Sequence, residues 1–276
     1  MSKVLYISDL DGTLLRNDQT LSFFTVDTIR KLTENGLLFS YATARSYATA
    51  SKVTKGLPAN LPVITFNGTF IVETGSGRLL HSVFFDPSET KHILNEILRC
   101  GVYPIVNAFI DGKERFSYFA GKETKGVEMF LQARQNDARK RSVNVPEDLF
   151  LGDVFHIACI DEAETLRPLY ERFKDCYPCV FYRDMYTGEM WFEIHPIGAT
   201  KATAAMVLKH LLGCDEVVCF GDGVNDIPLF RMADRGYAVE NADASLKKIA
   251  SDIIESNEMD GVARWLVGHN GSENGE

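Results

Sequence analysis

Four short apolar runs punctuate the chain, and each is closed within a few residues by a polar cluster. Val4 to Ile7 leads into Asp9-Leu-Asp11-Gly12-Thr13, and Leu37 to Tyr41 into Thr43-Ala-Arg45-Ser46. Val63 to Phe66 leads into Asn67-Gly68-Thr69, and Val217 to Phe220 into Gly221-Asp222-Gly223-Val-Asn225-Asp226. Unbroken apolar runs of about four or five residues suit strands buried on both faces, as a parallel sheet covered by helices requires. Helical spacing fills the intervals. Val26, Ile29 and Leu32 share a face that stops at Asn35-Gly36, and a second helix is predicted from about Ala202 to Leu212, stopped by Gly213. The pattern predicts an α/β fold with a doubly wound, Rossmann-like parallel sheet. In such a sheet ligands lie beyond the carboxyl ends of the strands, so the four clusters would meet at one site. Any one cluster alone reads equally well as turn chemistry.

The stretch 84–190 has another texture. Ser88 opens a predicted helix with Ile93, Leu94, Ile97 and Leu98 on one side and Gly101 at its end, and extended pieces follow over 103–110 and 115–120. A further helix is predicted after Asp161, with Leu166, Leu169, Tyr170 and Phe173 inward; Pro168 inside it predicts a late start or a kink. Asp111-Gly112 and Thr187-Gly188 mark hairpin turns. This is an α+β domain inserted into the parallel-sheet domain, giving 1–83 as the first core part, 84–190 as the insertion and 191–276 as the second core part. His156, within the apolar run from Val154 to Ile160, reads as a packed core histidine rather than a ligand. Phe109, Phe116, Tyr118 and Phe119 read as core or lining. The polar, Gly-rich segment 269–276 is expected to fray.

Composition narrows the function. The 276 residues are 45% hydrophobic and 24% charged, which excludes disordered, collagen-like and small stapled classes. No apolar run reaches the ~18 residues of a membrane span, and Asp9 interrupts the opening apolar run before it resembles a signal peptide, so no membrane partner and a cytoplasmic location are expected. With 38 acidic against 29 basic residues the net charge is −9, a poor field for nucleic acid. An anionic substrate must therefore meet a locally inverted charge. Cys176-Tyr-Pro-Cys179 is the one CxxC; it lacks both a βαβ context for redox work and a second CxxC for zinc, and the six cysteines read as reduced thiols.

Asp9 and Asp11 stand where a buried strand becomes a loop, a costly place for two carboxylates unless a cation or a substrate compensates them. An EF-hand loop starting at Asp9 is excluded, because its sixth and twelfth positions hold Leu14 and Thr20 rather than Gly and Glu. The 221–226 segment fails the dinucleotide fingerprint, having Asp226 where the last Gly belongs. Both segments instead offer hard oxygen ligands suited to Mg²⁺. A carboxylate can act as a covalent nucleophile toward phosphorus, and an acid two residues along can serve as general acid and base. Lys201, after Thr200 at a helix start, would supply the inverted charge together with the helix N-terminus, although alone it reads as a solvated surface lysine.

These residues resemble the haloacid dehalogenase-like phosphatases. Asp9-Leu-Asp11-Gly12-Thr13-Leu14 is similar to their first motif, Thr43 to the second, Lys201 to the third and Gly221-Asp222-Gly223-Val-Asn225-Asp226 to the fourth. The large insertion between the second and third resembles the Cof-type subfamily, with its type IIB α+β cap. The resemblance implies Asp9 as nucleophile and Asp11 as general acid/base. It implies Thr43, Arg45, Asn67, Lys201 and Asn225 as substrate binders, and Asp9, Asp11 through its backbone carbonyl, Asp222 and Asp226 as the Mg²⁺ set, with Asp226 near the ion's waters or holding Lys201. Where the family usually has Gly before the motif-two Arg, this chain has Ala44, whose methyl narrows the backbone approach beside Arg45.

The expected activity is a Mg²⁺-dependent phosphomonoester hydrolase working through an aspartyl phosphate, with the cap closing over the site and reading the leaving group. The resemblance implies small phosphorylated metabolites as substrates, either sugar phosphates or phosphorylated cofactors, and the protein is expected as a monomer or weak homo-oligomer. A phosphosugar mutase would use the same aspartyl chemistry, and a catalytically silent ligand-binding protein would keep the fold. The product separates the first pair, and any phosphate release excludes the last.

Overall fold

The structure, a computed structural model, describes residues 2–58, 61–184 and 186–270. The first elements are β1 (Val4–Ser8), α1 (Phe23–Glu34), β2 (Leu38–Tyr41), α2 (Tyr47–Val53), β3 (Val63–Thr65), β4 (Phe70–Val72) and β5 (Leu79–Ser82). There follow α3 (Pro87–Arg99), β6 (Ile105–Ile110), β7 (Lys113–Phe119), α4 (Lys125–Gln132), β8 (Lys140–Val143), β9 (Asp153–Asp161), α5 (Ala163–Phe173), β10 (Cys179–Arg183) and β11 (Met190–Ile194). The chain continues through α6 (Lys201–Leu212), β12 (Glu216–Gly221), α7 (Ile227–Met232), β13 (Arg235–Val239), α8 (Ala244–Lys247), β14 (Asp252–Ile254) and α9 (Gly261–Asn270). It divides into two compact units, Met1–Ser82 with Ala199–Glu276, and Val83–Gly198.

The first unit is built on a parallel sheet ordered β14-β13-β12-β1-β2. Leu5, Ile7, Val217, Val218 and Phe220 are completely buried, as strands covered on both faces require. Helix α1 lies against α9, and α6 against α7. Val63 to Phe66 departs from the four-strand parallel expectation. Ala42 and Ile64 form a single parallel bridge to the sheet, but β3 pairs antiparallel with β4 and so opens a separate three-stranded sheet. The reason is local: Phe66, Asn67 and Gly68 all have positive φ (48°, 53° and 105°), which reverses the chain at the strand's end.

The second unit carries a six-stranded sheet ordered β10-β11-β9-β6-β7-β8. One core cluster joins Ile93, Leu94 and Ile97 of α3 and Leu166, Leu169 and Phe173 of α5 to Val106, Ile157, Cys159, Phe192 and Ile194 of the strands. A smaller cluster sets Val127 and Leu131 of α4 on Ile105, Phe116 and Ile160. Asp111 and Gly112 form the β6–β7 turn, both at positive φ as a two-residue hairpin demands. Helix α3 begins one residue before Ser88: Asp86 is its cap, accepting from the Ser88 amide, and Pro87 occupies the first turn. Helix α5 continues through Pro168. Strand β11 pairs with β9 and β10, so Trp191 to Ile194 follow Met190 into this unit's sheet rather than the second core part, and the unit extends to Gly198. His269 and Asn270 close α9, with the His269 ring stacked 3.9 Å from that of Trp265; of the segment expected to fray, 271–276 lies outside the described residues. Among the described residues no helix is long and apolar enough to cross a membrane.

Candidate active site

Strands β1 and β12 are neighbours at the point where the winding of the sheet reverses, and Asp9 and Asp222 follow directly from their carboxyl ends. Backbone bonds carry the ladder one residue past the strands. The Asp9 amide donates to the Phe220 carbonyl (2.9 Å), the Ala42 amide to Ser8 (2.9 Å) and the Thr43 amide to Ile64 (3.0 Å). The segment after Asp9 then turns sharply at Gly12 (φ 76°), where a Cβ would stand 2.4 Å from Asp222 Oδ2. Only glycine lets the first loop approach the Asp222 carboxylate this closely. Thr13 Oγ1 donates to Asp222 Oδ1 at 2.8 Å and fixes that side chain from the same loop.

Lys201 is the first residue of α6, after Thr200, whose hydroxyl caps the Thr203 amide at 3.1 Å. It is no surface lysine. Its side chain has no solvent exposure, and its Nζ donates to Asp9 Oδ1 at 2.5 Å and Asp226 Oδ1 at 2.7 Å. The second oxygen of Asp226 accepts from the amides of Asp222 (3.1 Å) and Gly223 (3.0 Å), so this carboxylate is committed to the loop and to Lys201. One carboxylate oxygen from each of Asp9, Asp222 and Asp226 lies within 4.8 Å of the others.

The electrostatics follow from counting charges in a dry place. Burial alone would lower Lys201, but Asp226 and Asp9 outweigh it and hold the ammonium above its ordinary range. Burial pushes Asp9 well above the usual carboxylate value, with Asp226 and Asp222 adding to the rise and Lys201 opposing it. Asp222 is pushed up to about 6, by burial first and Asp226 second. Three carboxylates face one ammonium, and the two uncompensated negative charges match a divalent cation. A hard, all-oxygen donor set of this kind fits Mg²⁺.

Asp11 is not part of that trio. Its carboxylate takes a two-pronged bond from Arg45, Nε to Oδ2 at 2.7 Å and Nη2 to Oδ1 at 2.5 Å, and Arg45 Nη2 also reaches Gln19 Oε1 at 2.8 Å. Arg45 is at the site in spite of Ala44, but in this structure it grips Asp11. Thr43, completely buried, accepts the Arg45 amide on Oγ1 at 3.1 Å, which leaves its O–H as a donor. Asn225 Nδ2 donates to Asn67 Oδ1 at 3.1 Å, joining two predicted substrate binders. The left-handed turn at Asn67 leads into Gly68, where a Cβ would lie 2.1 Å from the Thr200 carbonyl oxygen. That approach sets the start of α6, and with it Lys201, beside the end of β3.

Thr13 stands in the first motif but has no role assigned by the sequence, and two contributors escape it altogether: Gln19, named above, and Asn241, whose Nδ2 donates to the Gly12 carbonyl at 2.7 Å. Asn241 carries the same signal as the other clusters, an apolar strand (β13) followed by polar residues, and was open to discovery on that ground. Gln19 has none; it arrives through a loop with positive φ (64°).

A family model described as haloacid dehalogenase-like hydrolase matches residues 6–266. Among curated relatives, two proteins of Bacillus subtilis (strain 168) bear the name 5-amino-6-(5-phospho-D-ribitylamino)uracil phosphatase. YitU is 27% identical, covering 94% of this chain and 94% of its own, and YwtE is 24% identical, covering 94% and 95%. A haloacid dehalogenase-like hydrolase from Bacteroides thetaiotaomicron superposes with a TM-score of 0.78 at 20% identity, over 98% of this chain and 100% of that one. A second, from B. subtilis, gives 0.77 at 21% identity over 96% and 99%.

Proposed function

Because the chain belongs to the haloacid dehalogenase-like hydrolases, we propose that it is a Mg²⁺-dependent phosphatase of small phosphorylated metabolites that works through Asp9. The observation that carries this reading is the buried Asp9–Lys201–Asp226 row with Asp222 alongside, a site short of two positive charges. Asp9, Asp222 and the Asp11 carbonyl would hold the ion, which when bound lets an anionic phosphate approach a carboxylate that otherwise repels it. Asp226 orients Lys201, and Lys201 neutralises the phosphoryl oxygens as charge shifts onto them. Asp9 attacks phosphorus, the alcohol leaves with a proton from Asp11, and Asp11 then takes a proton from the water that cleaves the aspartyl phosphate. Arg45 must release Asp11 for this role. We assign it a handover in which its guanidinium leaves Asp11 for the substrate phosphate, with Thr43, Asn67 and Asn225 as neutral donors around the same group.

All these residues address the phosphoryl group, so we place selectivity among leaving groups in the inserted unit. The names of YitU and YwtE make a ribityl phosphate the first substrate to try, followed by sugar phosphates and phosphorylated cofactors. The experiment is a phosphate-release screen over such monoesters with Mg²⁺ and with EDTA. The expectation is release that needs Mg²⁺ and is lost, by at least about a thousandfold, in a folded Asp9→Asn variant. Turnover that survives Asp9→Asn removes the nucleophile, no release from any monoester removes the hydrolase, and an isomeric sugar phosphate as product identifies a mutase.

A further inference from the structure

The inserted unit holds a second cluster of metal-binding side chains. Asn107 on β6 pairs with His156 on β9, and the pairing of Ile157 with Ile194 brings His195, just after β11, alongside His156. The two imidazole rings lie 4.8 Å apart. Glu193, two residues before His195 and so on the same sheet face, sets its carboxylate between them: Oε1 is 3.6 Å from His156 Nε2 and Oε2 is 3.6 Å from His195 Nε2. All three side chains are buried, at 6%, 5% and 1% exposure for His156, Glu193 and His195.

We propose that His156, Glu193 and His195 form a binding site for a zinc-class divalent ion, distinct from the carboxylate site of the first unit and independent of the phosphatase reading. Ligand atoms about 2.0–2.2 Å from a tetrahedral ion stand about 3.3–3.6 Å from one another; each imidazole Nε2 is 3.6 Å from one Glu193 oxygen, and one ligand atom from each of the three residues lies within 4.8 Å of the others. Two imidazoles and one carboxylate favour Zn²⁺, Co²⁺ or Ni²⁺ over Mg²⁺, whose preference is for oxygen. Three protein ligands leave a fourth position for water or a small anion.

The surroundings supply outer support. Asn107 Nδ2 lies 2.9 Å from His156 Nδ1, and a half-turn of that amide presents its oxygen to Nδ1–H, the bond that orients an imidazole with Nε2 toward a metal. Tyr182 donates its hydroxyl to Glu193 Oε1 at 3.4 Å, and the His195 amide donates to the Pro178 carbonyl at 2.9 Å, fixing the end of β11. The alternative role is a hydrogen-bonded trio that only fills the sheet face.

The test uses the full chain, stripped of metal and then held in excess Mg²⁺ so that the carboxylate site is filled, and titrated with Zn²⁺. Binding of one equivalent is expected, weakened at least about a hundredfold in His195→Gln and in Glu193→Gln, and about ten- to a hundredfold in Asn107→Ala. Anomalous scattering at the zinc edge from crystals of the unmutated chain locates the ion without relying on any variant. A peak bonded to His156, Glu193 and His195 supports the site. A map with no peak there, including one with zinc only on the cysteines, overturns it and leaves the hydrogen-bonded trio, as does Zn²⁺ uptake that His195→Gln leaves unchanged in a folded protein.

Discussion

Replacing Lys201 with methionine keeps a long unbranched side chain in place but removes the ammonium that, among the described residues, bridges Asp9 and Asp226. The buried carboxylates of Asp9 and Asp226 and the half-buried one of Asp222 then face one another without that counter-charge. Removing one partner of a buried pair costs about 3–5 kcal/mol, because the remaining charge stays in the dry interior. At about 2–4 °C per kcal/mol for a domain of this size, the melting temperature in EDTA at pH 7.5 falls by about 6–20 °C. The loss shrinks toward pH 5, where the carboxylates can take up protons instead. The second perturbation is Asp226→Asn on the Lys201→Met background. It removes one of the stranded charges, so the double variant is more stable than Lys201→Met alone, with a coupling of about 0.5–3 kcal/mol. Thermal and urea unfolding of the four proteins measure the cycle, and phosphate release measures a companion loss of about 10²–10³ in kcat. A Lys201→Met chain that melts within about 2 °C of the parent, or a double variant less stable than both singles, refutes the electrostatic account.

Asp222 gives a pH test: its folded value of about 6 lies above the ordinary 3.8, so the deprotonated form is disfavoured by folding. The metal-stripped chain therefore loses up to roughly 3 kcal/mol as pH rises from about 4 through 6, and Mg²⁺ restores it at pH 7; melting curves in EDTA that rise across that window contradict the assignment. Gly68→Ala forces a Cβ to 2.1 Å from the Thr200 oxygen at a φ of +105° and is expected to cost about 1–3 kcal/mol and to depress turnover by shifting Lys201; unchanged melting and kinetics count against the close approach. Arg45→Ala removes a bidentate charged contact worth about 1.5–3 kcal/mol, so kcat/KM drops by about ten- to a hundredfold, through a higher KM, a lower kcat or both; an unchanged kcat/KM excludes the handover to substrate.

How much of this was legible in the sequence depends on whether a residue's role is local. Strands β1, β2 and β12 announce themselves as apolar runs because they are buried on both faces, and although each trailing polar cluster alone could be turn chemistry, their recurrence at successive strand ends points to one site. The direction of β3 after Thr65 was hidden, since left-handed φ at Phe66 is unusual for a bulky side chain and carries no compositional mark. The boundary after Met190 differs for a related reason: the hairpin at Thr187-Gly188 is visible in the sequence, but which sheet receives Trp191 to Ile194 depends on pairing with β9, some thirty residues earlier. His156 alone reads as a core residue, and core it is; its companions Glu193 and His195 are close only after β9 and β11 have paired. Lys201 shows the opposite case, a residue that taken alone reads as surface and whose partners, Asp9 and Asp226, make it one of the largest side chains fully enclosed.

The placement of β1 in the interior of its sheet, between β12 and β2, has a cost during synthesis. One neighbour, β2, follows soon, but the other, β12, starts at Glu216, on the far side of the whole inserted unit. At about 5–20 residues per second the ribosome needs on the order of 10–40 s to bridge that gap. Throughout it, the flank of β1 that will face β12 is an unpaired template carrying Leu5 and Ile7, the kind of edge that recruits foreign strands. A nascent chain halted at Gly198 thus pairs a finished second unit with an unfinished first one, and the strand that positions Asp9 is the part most in need of a chaperone's cover.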